Sequence, residues 1–170
     1  VLTGRLVRIR PAGPGDAARL RAVLADPSVS RWWGEPDPQA VLEADMRGGD
    51  DTVLLVMEVD GQVAGGIQYV EEDTPMYRHA GIDIFLGGPF QGRGVGTEAI
   101  RLLARFLFEQ RSHHRITIDP AAANAQAIRS YGKVGFRPVG VMRQYERGGD
   151  GQFHDGLLMD LLRDELIMDE

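Results

Sequence analysis

Cysteine is absent from the 170 residues. That excludes a disulfide scaffold, cysteine-ligated zinc and a cysteine nucleophile. Lysine is nearly absent: Lys133 is the single lysine among 19 lysine and arginine residues. Positive charge is in deficit overall, with a net charge of -6. Nucleic-acid-binding domains usually carry a basic face, so no nucleic-acid partner is expected. No apolar run approaches the roughly 20 residues that span a bilayer. The start, Val1-Leu2-Thr3-Gly4, has no signal-peptide pattern. The expectation is a cytoplasmic protein without a membrane role, monomeric or homodimeric. No internal repeat, low-complexity tract or linker divides the chain, so residues 1–170 read as one domain.

What is present is an ordinary globular balance, 43% hydrophobic and 26% charged. Glycine is the exception: 22 residues, nearly twice the usual share of about 7%. Alternation predicts a strand over 6–10, and Leu20, Val23 and Leu24 place a helix over 16–24. Asp26-Pro27-Ser28 interrupts that helix, because a residue before proline avoids the helical region. A second helix is expected over 37–46, ended by Gly48 and Gly49. Strands follow over 53–59 and 62–70, joined by the hairpin signal Asp60-Gly61. An acidic loop over 71–77 leads to a strand over 80–86, stopped by Gly87-Gly88-Pro89. The longest helix is expected over 97–110, then a strand over 115–118 and a helix over 123–134 ending at Gly135. Two late strands, 137–146 and 153–162, flank a glycine-rich turn. This order predicts a mixed α/β (α+β) domain with a mostly antiparallel sheet flanked by helices.

Gln91, Gly92, Arg93, Gly94, Val95, Gly96 and Thr97 lie between a predicted strand and the longest helix. Glycines let backbone approach a ligand, and a helix start offers unpaired N–H groups and a positive dipole end. Together they suit a phosphate. A triphosphate loop would need Gly-Lys-Ser/Thr, which is missing. A dinucleotide fingerprint counted from Gly92 meets Thr97 where glycine is required. The alternative is a glycine-rich connection that binds nothing.

Gln91-x-x-Gly94-x-Gly96 before a helix resembles the acyl-CoA loop of the GNAT superfamily of N-acetyltransferases. Asn124, Ala127, Tyr131, Lys133, Gly135 and Phe136 resemble that family's downstream helix and its exit. The resemblance implies the GNAT fold over nearly the whole chain, acetyl-CoA as co-substrate and transfer to an amine. It places Asn124 and Lys133, with the loop residues, at the cofactor. Ser30-Arg31-Trp32-Trp33-Gly34, Gly81-Ile82-Asp83 and Ile118-Asp119-Pro120 are similar to the aminoglycoside 6′-N-acetyltransferases. The loop before the fourth main strand is shorter here, reduced to residues 71–75. Other implied acceptors are a polyamine, a siderophore precursor or a peptide N-terminus. A non-catalytic acyl-CoA-binding domain is the alternative from another class.

Without cysteine, direct attack by the amine in a ternary complex is the simplest mechanism. Asp83 is the candidate for amine recognition and proton removal, with partial burial or a bridging water making it a better base. Alternation favours an outward-facing strand aspartate, since Asp83 is opposite in phase to Ile82 and Ile84. Tyr131 is the candidate proton donor to the leaving thiolate; by spacing alone it reads as a packed helix tyrosine. Asp119 is either a second ammonium site or a turn residue before Pro120. Asn124 doubles as a helix N-cap. Glu71, Glu72 and Asp73 either attract a polycation or form a solvated surface. Trp33 is a candidate to pack on a sugar or cation face, or a core residue. His113-His114 has no third ligand nearby and reads as a helix-end feature rather than a metal site.

Overall fold

In the computed structural model, residues 1–33 and 52–168 are described; the helix expected over 37–46 lies outside them. The elements run β1 (Leu2–Thr3), β2 (Arg8–Pro11), α1 (Ala17–Ala25), α2 (Pro27–Trp33), β3 (Thr52–Val59), β4 (Gln62–Glu72) and β5 (His79–Leu86). There follow α3 (Val95–Glu109), β6 (Arg115–Ile118), α4 (Ala125–Val134), β7 (Arg137–Arg147) and β8 (Phe153–Leu162). They form one sheet in the order β1-β2-β3-β4-β5-β6-β8-β7. The fold class therefore matches the expectation, and so do most boundaries.

Three local differences have clear causes. Asp26-Pro27 does not merely end a helix; it starts α2. Asp26 accepts from the Ser28 amide at 3.0 Å, and Pro27 occupies the first helical position, where its missing N–H costs nothing. Helix α3 begins two residues before the expected start, because Gly94 rather than Gly96 adopts the left-handed cap. Strand β4 extends through Glu72, since Glu71 and Glu72 pair with Ala80 and His79. The expected acidic loop is thus largely strand.

The antiparallel pairs β3–β4 and β4–β5 join strands consecutive in the chain, whereas β2 meets β3 only after α1 and α2. The Asp60-Gly61 turn has φ of 50° and 77°, the positive values a two-residue hairpin needs. The pair β5–β6 is parallel, and helix α3 is the crossover it requires. The apolar face of α3, with Ala99, Ile100, Leu103, Ala104 and Leu107, packs on Met57, Ile67, Ile82 and Ile116 of one sheet face. The opposite face is covered by α1 and α2 through Leu20, Val23, Leu24 and Val29, against Leu54, Val56 and Phe85. Emptying one such site, as in Leu103→Ala, would cost about 2–5 kcal/mol.

Polar ties fix how the edges meet these layers. The Glu98 carboxylate, in the first turn of α3, accepts backbone amides of Arg5, Leu6 and Val7 at 2.7–2.9 Å. Arg10 bridges Asp16 at 2.8 Å and Glu58 at 2.9 Å, joining α1 to β2 and β3. The Arg10 guanidinium holds the Asp16 carboxyl below the usual carboxylate range. Its stabilising effect is complete above the unfolded value of about 3.9 and is lost as pH falls through the lower folded value. Urea denaturation should therefore show Asp16→Asn less stable than wild type by about 1–3 kcal/mol at pH 7. The gap should close as the solution is acidified through that range.

Candidate active site

The site begins where β5 ends. A helical turn at Gly88–Phe90 leads into the glycine loop. Gly92 and Gly94 hold φ of 73° and 80°, a region that L side chains rarely adopt. Gly94 caps α3 without a side-chain acceptor, so the first-turn amides of the helix remain directed outward. Gln91 does not point its amide to solvent. It donates to the Leu86 carbonyl at 2.7 Å and to Ser28 Oγ at 3.3 Å, fixing the loop to β5 and α2. Arg93 is exposed and sits over the Phe90 ring at 5.9 Å. Gly96 faces Ile84 and Leu86 at ordinary contact distance, so this position tolerates a methyl group in the free protein.

A second feature lies on the same strand. Parallel pairing of β5 with β6 covers Ala80–Ile116 and Gly81–Thr117 and then stops. Where the strands part there is a cleft of about 270 Å³, whose lining includes Gln68, Glu72, His79, Asp83, Thr117 and Asp119. Asp83 is exposed, opposite in phase to buried Ile82, and faces Gln68 across the β4–β5 pair. Burial is thus not what would make Asp83 a base. Burial acts instead on its neighbours. It pushes the Asp119 carboxyl up, against the opposing hydrogen bond from Tyr145. It pushes the Tyr131 phenol up further, with the negative charges of Asp83 and Asp119 adding to the effect. Tyr131, from α4, therefore sits under the field of both carboxylates and keeps its proton at neutral pH.

A family model for an acetyltransferase (GNAT) domain matches residues 14–143. The chain belongs to the GNAT acetyltransferase family. It is 26% identical over 166 residues to the spermidine N(1)-acetyltransferase of Escherichia coli K12, covering 95% of this chain and 88% of that one. It is 31% identical over 156 residues to the aminoglycoside N(6′)-acetyltransferase type 1 of Klebsiella pneumoniae, covering 80% and 76%. A solved aminoglycoside acetyltransferase in complex with coenzyme A superposes with a TM-score of 0.76 at 25% identity, covering 94% of this chain and 96% of that one.

In this acetyltransferase the remaining candidates separate into two groups. Glu72 lines the cleft, its carboxylate accepting the Thr74 amide at 3.0 Å. Trp33 stands at the end of α2, donating from Nε1 to the Ile84 carbonyl at 3.3 Å and meeting the Phe85 ring edge-on at 5.1 Å. It is set beside the Asp83 strand, with no place in the cleft lining. Asn124 caps α4 by accepting the Ala127 amide at 3.2 Å. Lys133 is exposed in the last turn of α4, and Thr97 is half-buried in the first turn of α3. Asp73 lies off the cleft, 4.0 Å from Arg78.

Glu71 and His113 correct the acidic-loop and helix-end readings. Glu71 accepts from Arg111 at 2.8 Å and meets His113 Nε2 at 2.6 Å. Burial would raise its pKa, but the hydrogen bonds from Arg111 and His113, with the Arg111 charge, outweigh that and hold it low. His113 is 1% exposed, three residues beyond the α3 cap, and serves this internal pair rather than the helix dipole. No alternation rule could assign Glu71 to an inward pair, because its partner lies 42 residues away.

The loop's strain gives a direct test. Gly94→Val puts a β-branched residue at φ 80° and should abolish coenzyme A binding in calorimetry while circular dichroism still reports a folded chain. Gly96→Ala should leave Tm unchanged, since its methyl meets side chains at 3.8 Å or more.

Proposed function

We propose that this chain is an acetyl-CoA-dependent N-acetyltransferase that transfers acetyl directly to a primary amine of a small polycation, the 6′-amine of an aminoglycoside. The observation that carries this reading is that Asp83 and Asp119 line the cleft where β5 and β6 part, on the strand that leads into the glycine loop, and that both charges act on the buried Tyr131 phenol. Asp83 precedes the last residue of β5 by three positions, about 10 Å along a strand. One extended co-substrate could lie with its phosphates on the loop amides and its thioester at the cleft.

The residues then divide the work. The Gly92–Gly94–Gly96 backbone and the α3 N-terminus hold the pyrophosphate. Asn124 and Lys133 contact the co-substrate from α4. Asp83 and Glu72 attract the ammonium group, and Asp83 takes its proton through water. The amine lone pair forms the new C–N bond as the C–S bond breaks. Tyr131 returns a proton to the sulfur; its raised pKa keeps the proton available until the thiolate forms. Asp119 receives a second cation of the acceptor, and Trp33 borders the same strand. No side chain is needed for the carbonyl oxygen if a β5 backbone N–H serves it. Acetylation removes a positive charge that an aminoglycoside uses against anionic RNA, so resistance follows from weaker electrostatic binding.

A polyamine acceptor is the second reading. It is favoured by the match to a spermidine acetyltransferase along 95% of the chain and by the short segment between β4 and β5. A thiol-release assay with acetyl-CoA and a panel of kanamycin, spermidine and an alanyl peptide separates them. Kanamycin turnover with a much lower kcat/KM for the others supports the first reading, and the reverse overturns it. Coenzyme A binding without turnover across the panel would point to a non-catalytic domain. Asp83→Asn should lower kcat by about 10²-fold or more while leaving coenzyme A affinity within about twofold.

A further inference from the structure

One group that bears on the cleft comes from β7. In the β7–β8 pair Met142 stands opposite Gly156 and Glu146 opposite His154. Arg143, Gln144 and Tyr145 therefore all face the single residue Asp155, and β7 bulges. The bulge is pinned. Gln144 takes a left-handed φ of 49°, and its amide donates to Asp155 Oδ1 at 2.8 Å. The opposite side of β8 is pinned too. The Ala122 amide donates to the Asp155 carbonyl at 2.9 Å, and the Leu157 amide to the Pro120 carbonyl at 2.8 Å. The segment carrying Asp119 and the bulge carrying Tyr145 are thus locked onto the same three residues of β8.

The bulge turns Tyr145 over β8. Its ring lies on Gly156, where an added Cβ would come within 2.9 Å of Cδ2. Tyr145 Oη reaches past β8 and donates to Asp119 Oδ2 at 2.7 Å. Asp119 directly follows β6, and the order β6-β8-β7 sets β8 between it and β7, so no regular pairing provides this contact. The phenol is pushed up to about 12, first by this bond and then by burial, so it remains a donor across the neutral range. The other ionisable groups acting on this pair are Asp83, Tyr131 and Glu146.

We propose that Tyr145 is a positioning residue: the β7 bulge delivers its hydroxyl to fix the Asp119 carboxylate at the cleft, where it selects acceptors carrying a second cation. The proposal rests on the amine-acetyltransferase reading of the cleft. Its structural half stands apart from that reading. One oxygen of Asp119 is occupied by Tyr145, and the other is thereby aimed for an ammonium group. A monoamine held at Asp83 alone gains nothing from it.

Two readouts test this on the full chain. The side-chain carboxyl of Asp119 is titrated by ¹³C NMR in wild type, Tyr145→Phe and Gly156→Ala. Losing the phenol, or shifting its ring with a methyl group, should raise the Asp119 midpoint in both variants. In steady-state assays with kanamycin, spermidine and the monoamine phenethylamine, Tyr145→Phe should raise KM for the polycations about five- to tenfold. Meanwhile kcat should stay within about twofold, and the monoamine KM should not move. An unchanged Asp119 midpoint overturns the proposal, whatever the enzyme acetylates. So does a raised midpoint with unchanged KM values for kanamycin and spermidine, or an equal loss on all three amines. If wild type turns over none of the amines, the function proposed above falls, and with it the selective role; the NMR titration then decides the positioning role alone.

Discussion

Two parallel residue pairs, Ala80 with Ile116 and Gly81 with Thr117, set the geometry on which the site depends. A parallel pair cannot be closed by a hairpin; the chain must travel back along the sheet first. Helix α3 is that return path, so its N-terminus necessarily stands at the carboxyl end of β5. This is the place where ligand sites form in α/β sheets. The pairing is also short. Because it ends at Gly81, the rest of β5 leaves β6, and the backbone of both strands borders a cleft instead of a ladder. A helix start, a glycine loop and a cleft arise together from one crossover.

The chemistry of that cleft is set by how unevenly its acids are buried. Asp83 keeps solvent contact, and Asp119 is held in a less solvated place, where its carboxyl rises. The Tyr131 phenol is raised by burial and by both negative charges. Two carboxylates at the cleft and a phenol that holds its proton are the charge pattern on which the proposed amine transfer rests.

Much of the fold was legible because its signals are local. Hydrophobic periodicity marked α3, Asp60-Gly61 marked the β3–β4 turn, and Gly135 marked the end of α4. Asp83 was legible as an outward residue of its strand from alternation alone. Helix α2 was missed although Asp26-Pro27 carried its start signal, a cap residue followed by proline at the first helical position. Glu71, His113 and Tyr145 were not legible at all. Each takes its meaning from a residue 26 or 42 positions away, and a spacing of that size has no period to read.

The sequence by itself determined most of the elements, the loop that suits a phosphate and the short roll of acids and phenols available for catalysis. Backbone propensity and side-chain patterning act within a few residues, and one chain displays them fully. Only the tertiary structure decided which acids meet. It turned Glu71 inward to Arg111 and His113, left Asp73 off the cleft, and brought Asp83, Asp119 and Tyr131 together. It also spent an irregularity of β7 on carrying Tyr145 across a neighbouring strand to Asp119. Those outcomes depend on strand order and register, which are settled by packing the whole sheet against its helices.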